Sequence, residues 1–373
     1  MTDAPDLSFL DTPGLPAAFV AETRPRAHGA GLDLYAYDRV TAGLRSLTEW
    51  PDVCRAAADR HRAAGAAAAG EGRTRTAGEA YRTAARWYHL AGLVPHPDRA
   101  AAARIAAAAD RAMGEALALL EPEAERLVGE GFAGWLRRPA GVRRAPVVVI
   151  VPGLDSGKEE FHRVAEALLA RGTAVFAMDG PGQGSLAATS TFEPDYHLVV
   201  GRVIDTLRAC GDVDASRVAV IGLSLGGWFA ATAAAREPRL RAAALVSGPY
   251  RLDWDGVVPF VRATLAQRCG GTAAARAFAR RVDLAGLAAA IEVPLLVVEG
   301  GEDRIPGVTN ADLLAHQVDG AELLFVPHGN HLLGTALADW LPATADWLTA
   351  RLDGPLATGP LTPGPLPTGP DAG

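Results

Sequence analysis

Hydrophobic and polar positions follow two different rhythms along the chain. From about Leu32 to Leu120, β-branched residues are sparse and Ala, Arg, Glu and Leu dominate, a texture that favours helix. Ala80, Tyr81, Ala84, Trp87, Tyr88 and Ala91 recur at steps of three and four, which marks one face of a helix. In front of them, Thr76-Ala-Gly-Glu79 has the spacing of a capping box. Another helix is predicted after Pro97, with Ala101, Ile105, Ala108 and Met113 towards a partner. This half reads as a bundle of roughly four helices.

Past Glu130 the rhythm changes. Short apolar runs appear at Val147–Val151, Ala174–Met178, Val218–Ile221, Ala243–Val246, Leu295–Val298 and Leu323–Val326, each followed by a turn signal and a helical stretch. Near-continuous apolar runs suit strands covered on both faces, and their alternation with helices predicts a parallel sheet of βαβ units. Phe132–Arg138 reads as an antiparallel start. The stretch from Gly248 to Ile291 lacks strand character and predicts helices inserted over the sheet. After Asp353 the chain repeats Gly-Pro-Leu, and Pro and Gly at that density cannot build a core, so a disordered tail is expected there.

Length and charge narrow the classes. The 373 residues suggest two domains, with 36 Lys+Arg against 43 Asp+Glu for a formal net charge of −7. That balance excludes a mainly electrostatic nucleic-acid binder. The three cysteines, Cys54, Cys210 and Cys269, are widely spaced and form no ligand cluster, so neither a disulfide framework nor a metal site is indicated. With no secretory signal at the acidic amino terminus and no apolar run of about eighteen residues, a soluble cytoplasmic protein without membrane contact is expected.

The chemistry centres on Gly222-Leu223-Ser224-Leu225-Gly226, which lies directly between a predicted strand and a predicted helix. A turn that sharp forces the serine into strained dihedrals. The glycines let the backbones pass, and Oγ is left exposed at the positive end of a helix. A purely structural strand–helix turn is the alternative, and the partners argue against it. Asp303 follows a strand and a glycine turn; His331 follows the next strand and precedes the last helix. Ser, Asp, His is the chain order of α/β-hydrolases, with each residue at the carboxyl end of a strand. Ser224 would attack, His331 would take and return its proton, and Asp303 would hold the imidazole tautomer. Glu302 and His328 are neighbouring competitors; His328 sits tight against its strand and reads as a structural or pocket residue.

The oxyanion donors expected are the backbone N–H groups of Leu225 and Leu154, with Gly153 letting the chain bend close to the substrate. GLDSGKEE lacks the spacing of a P-loop, and GPGQG lacks the register of a dinucleotide site and reads as a turn bordering the pocket. In the helical half, Tyr81, Trp87 and Tyr88 read as core, and His89 would reach either the interdomain cleft or water.

Together PGLDSGKEEF, MDGPGQG, GLSLGGW, EGGEDRIP and GNH resemble the α/β-hydrolase branch that includes 2,6-dihydroxypseudooxynicotine hydrolase and the FrsA-like esterases. The resemblance covers roughly 132–352, and more loosely the helical half through TAGEAYRTAARWYHLAG. It implies a helical domain set over the hydrolase domain, with substrate bound between them. It also implies hydrolysis of a C–C bond next to a ketone, or of an ester. The nicotine-pathway enzyme has a glutamate matching Asp155, taken to act as acid/base. Here the side chain is one methylene shorter, and helix capping alongside Ser156 and Glu159 is the competing role. A further departure is Asn330, where an acidic residue often precedes the histidine.

The expected architecture is therefore an α/β-hydrolase fold: a mostly parallel sheet of about eight strands flanked by helices. Its expected parts are a helical, lid-like domain at 1–130, a catalytic domain at 131–353 with a helical insertion around Asp253–Ala290, and the tail at 354–373. The expected function is serine-dependent hydrolysis of a small-to-medium organic molecule, through an acyl-serine or a serine-assisted gem-diol, with no cofactor. A lyase or cyclase of secondary metabolism using His331 as base stays open, as does a non-catalytic binding module. The oligomeric state is also open, a homodimer being common among related two-domain enzymes.

Overall fold

The computed structural model describes residues 5–353. The Gly-Pro-Leu tail lies outside them. Helices occupy the first third: α1 (Leu15–Gly29), α2 (Leu34–Thr41), α3 (Trp50–Gly70), α4 (Thr74–Ala91) and α5 (Arg99–Leu120). Prolines stand in the first turns of α1 and α3, where no intrahelical donor is lost. Asp33 and Asp98 cap α2 and α5 through backbone N–H groups of Ala36 and Ala100. The capping box expected at Thr76 does not form. Gly72 adopts a left-handed φ of 74°, α4 begins at Thr74, and Glu79 instead pairs with Arg75 on the same helix. Tyr37, Trp50, Trp87 and Leu90 make the core of this half, with the Trp50 indole donating to the Leu90 carbonyl at 2.6 Å.

The rest of the chain is a wound sheet. Its elements are β1 (Glu125–Gly129), β2 (Phe132–Arg137), β3 (Ala145–Val151), α6 (His162–Leu169), β4 (Ala174–Asp179), α7 (Tyr196–Ala209), β5 (Val213–Leu223), α8 (Leu225–Arg236) and β6 (Leu240–Val246). They continue with β7 (Pro249–Leu252), α9 (Pro259–Cys269), α10 (Thr272–Ala279), β8 (Leu295–Gly300), β9 (Val308–Asn310), α11 (Asp312–Ala315), β10 (Glu322–Val326) and α12 (Leu337–Asp353). Eight strands form one sheet in the order β1-β2-β4-β3-β5-β6-β8-β10. The β1–β2 and β2–β4 pairs are antiparallel and the other pairs parallel. All positions of β3 and β4 are buried, because α7 and α8 cover one face and α6 and α12 the other.

Two differences from the sequence reading concern boundaries. The sheet starts at Glu125, a few residues before the expected limit, because β1 pairs with β2 as a hairpin. The segment after Gly248 does carry α9 and α10, but its first residues form β7, which pairs with β9 in a small antiparallel ribbon. Strands of four and three residues are too short for a period to show.

The loop between β3 and α6 ties the two halves together through ion pairs. Arg26 of α1 holds Asp155 at 2.9 Å and Glu160 at 2.7 Å, and His89 of α4 meets Glu160 at 3.0 Å. Asp110 of α5 reaches Lys158 at 3.1 Å. Three helices thus converge on the charged stretch of PGLDSGKEEF.

Candidate active site

Three side chains remote in sequence meet at the carboxyl end of the parallel strands. Ser224 follows β5 directly and adopts φ 57° and ψ −130°, a strained conformation for a residue with a Cβ. The local sequence permits this turn. A Cβ on Gly222 would lie 2.0 Å from the Gly226 carbonyl, and one on Gly226 would lie 2.2 Å from the Val151 carbonyl. The serine is thereby set at the N-terminus of α8. His331 Nε2 lies 3.0 Å from Ser224 Oγ, and its Nδ1 lies 2.9 Å from Asp303 Oδ2. Asp303 is almost fully buried, whereas the imidazole is 26% exposed and so open to a substrate. Of the competitors, Glu302 is exposed, and His328 is exposed and faces Asp339 at 3.1 Å.

Leu154 and Leu225 line the same pocket as Ser224 and His331, a space of about 410 Å³. Leu225 is the first residue of α8, so its N–H has no intrahelical acceptor. Gly153 packs against the serine: a Cβ there would lie 2.9 Å from Ser224 Cβ. The side-chain amide of Gln183, from the GPGQG turn, donates to the carbonyls of Pro152 and Gly153. In a trans peptide the N–H points opposite to the C=O, so this bond turns the Leu154 N–H away from Gln183. Tyr196 and the Gly180 N–H both donate to the Gln183 oxygen and fix which way the amide faces.

Several residues around this cluster carry no signal in the sequence. Leu332 and Leu333, just after the histidine, have φ of 64° and 49°. Buried Ser247, at the end of β6, accepts a hydrogen bond from the Leu332 N–H at 2.9 Å and holds this strained turn. Behind Asp303, the Asn310 amide donates to the Asp303 carbonyl and to the Glu299 carboxyl. Burial, and then the charge of Asp303, push Glu299 up to about 9. A carboxyl raised in the fold stabilises least at high pH: its contribution is whole below the unfolded value of about 4.5 and is lost as pH rises towards about 9. Glu299→Gln should therefore melt several degrees above the wild type at pH 8, on the order of a few kcal/mol. The gap should close near pH 5; a gap independent of pH in thermal melts would contradict this.

Asp155 stands apart from the pocket of Ser224. Both its oxygens are engaged by Arg26, and it lines a neighbouring cleft of about 790 Å³ between α4, α5 and the catalytic loops. The capping alternative does not hold, because α6 begins at His162, seven residues later, with Phe161 before it. His89 lines the same cleft, buried, and Trp87 and Tyr88 are core.

The serine aminopeptidase S33 family matches residues 143–283. Over 244 residues the chain is 31% identical to 2,6-dihydropseudooxynicotine hydrolase of Paenarthrobacter nicotinovorans, covering 61% of this chain and 66% of that one. The crystal structure of the 2,6-dihydroxy-pseudo-oxynicotine hydrolase superposes with a TM-score of 0.78 at 26% identity, over 88% of this chain and 95% of that one. The chain has the α/β-hydrolase fold. It is also 35% identical over 220 residues to hydrolyase poxO of Penicillium oxalicum, covering 54% of this chain and 52% of that protein. The chain thus aligns with just under two thirds of the first relative and about half of the second. Among the described residues, no helix is long and apolar enough to cross a membrane.

Proposed function

We propose that the protein hydrolyses a carbonyl compound of small-to-medium size, cleaving either a C–C bond next to a ketone or an ester, with Ser224 as nucleophile. The observation that carries this reading is the pair of bonds joining Ser224, His331 and Asp303. In it, Ser224 Oγ attacks the carbonyl carbon as its proton passes to His331 Nε2, and Asp303 stabilises the imidazolium that forms. The N–H groups of Leu154 and Leu225 receive the oxyanion. The tetrahedral intermediate expels an alkoxide from an ester, or from a ketone a carbanion stabilised by a second carbonyl or an electron-poor ring, and His331 returns the proton to it. Water then releases the acyl group from the serine by the same steps in reverse.

The helical half, ending with α5, serves as a lid-like domain over the catalytic half, and the cleft between them takes the body of the substrate. The relatives' names point to the same chemistry, one a pseudooxynicotine hydrolase and the other a fungal hydrolyase. Asp155 lies beside the Leu154 donor and could serve as acid/base only by breaking its pair with Arg26. A lyase reading, with His331 as base, makes a different prediction about water. Turnover in heavy-oxygen water separates the two. Hydrolysis puts one labelled oxygen into the carboxylate product, whereas a product formed without that oxygen rejects the hydrolase reading.

A further inference from the structure

The interdomain cleft contains a cation that its ion pairs leave out. Two of the carboxylates facing it each have their own cation: Asp155 has Arg26, and Glu159 has Lys158 at 2.8 Å. Arg268, in the last turn of α9, lines the same cleft and has no ion pair among the described residues. Its Nη1 donates to the Gly182 carbonyl at a long 3.3 Å, and its Nε is buried with no acceptor. A guanidinium has five donors in a planar fork, so most of this one's capacity is unused. Burial pulls its pKa down, and the charges of Asp155 and Asp179 oppose that shift without overcoming it. Leaving a half-buried guanidinium unpaired, with its Nε shut off from water, is costly unless something else in the cleft meets it.

Its position relative to the nucleophile suggests what that is. Leu265 of α9 lines the pocket of Ser224, and Arg268 lies three residues further along the helix, about 4.5 Å by helical rise. The helix α9 therefore borders both spaces, as does the adjacent pair Leu154 and Asp155. We infer that Arg268 receives an anionic oxygen group of the substrate, a carboxylate or an enolate, at the end remote from the carbonyl that Ser224 attacks. This rests on the hydrolase reading of Ser224 and adds a substrate class to it. The bidentate fork of the guanidinium matches two oxygens in one plane.

Paired esters test this with the whole chain. Mono-para-nitrophenyl adipate and para-nitrophenyl hexanoate differ by a charge on the acyl arm; meta-carboxyphenyl butyrate and phenyl butyrate, whose leaving phenols are of nearly equal acidity, differ by a charge on the leaving arm. The protein's net charge of −7 disfavours anions in general, so a preference for the charged ester in either pair requires a local cation. The wild type should prefer the charged ester in one pair, by kcat/KM. That ratio should fall at least about tenfold in Arg268→Met and be partly kept in Arg268→Lys. Arg268→Met should melt no lower than the wild type, because it removes a half-buried charge that has no ion pair among the described residues.

Ratios at or below one in both pairs, or a ratio that survives Arg268→Met, overturn the proposal. So does a lowered melting temperature with the ratio intact, which would make Arg268 structural. Should the methionine variant fail to fold, the lysine variant carries the same ratio test. Failure of the underlying serine chemistry shows separately, as a Ser224 that a fluorophosphonate does not label.

Discussion

Ser224→Ala should lose at least about a thousandfold in turnover of whatever ester or ketone the protein accepts, while keeping its fold. The hydroxyl meets His331 Nε2 and makes no other side-chain hydrogen bond among the described residues, so removing it leaves the surrounding geometry in place. Alanine at φ 57° is as strained as serine, and the close backbone approaches at Gly222 and Gly226 that permit the turn do not involve the removed oxygen. The melting temperature should therefore stay within a few degrees of the wild type, or rise, as is common when a strained site gives up function. Steady-state kinetics and a thermal melt measure both. A variant that folds and keeps full turnover would remove the serine from the chemistry and leave His331 as the base of a lyase.

The second large effect is on stability. Arg26→Met should cost about 3–5 kcal/mol in urea unfolding, because it strands two carboxylates that are 13% and 3% exposed. Glu160 is the more demanding of the two. Burial alone would raise it, yet Arg26 and His89 hold it well below the usual carboxylate range. A carboxyl depressed in the fold contributes stability above its unfolded pKa and loses it as pH falls through the folded value. The gap between wild type and Arg26→Met should accordingly narrow in acid. Adding Glu160→Gln to Arg26→Met should recover part of the loss, since no buried charge is then left at that position. Equal urea midpoints for wild type and Arg26→Met would show that this anchor between the halves contributes nothing.

The sequence revealed the cluster at 224, 303 and 331 because each member lies in the turn after a strand. An apolar run ending in a glycine turn is a local pattern, and at the carboxyl edge of a parallel sheet such turns converge. The sheet itself was legible for the same reason, from runs buried on both faces. Arg26 was not, since 129 residues separate it from Asp155 and nothing local distinguishes it from Arg24, a surface partner of Asp38. Ser247, Glu299 and Asn310 also escaped notice: their roles depend on which backbone groups need a partner, and only the assembled fold decides that. The capping box failed through competition. Gly72 opened the helix at Thr74, before Thr76 could serve as its cap.

The central claim, that Ser224 is a nucleophile activated by His331, is tested most directly by the mass of the protein after exposure to a fluorophosphonate. The account predicts one stoichiometric adduct, mapped by peptide analysis to Ser224 and formed at least about a hundredfold more slowly in His331→Ala. No adduct, an adduct on another residue, or labelling at an unchanged rate in His331→Ala would contradict it.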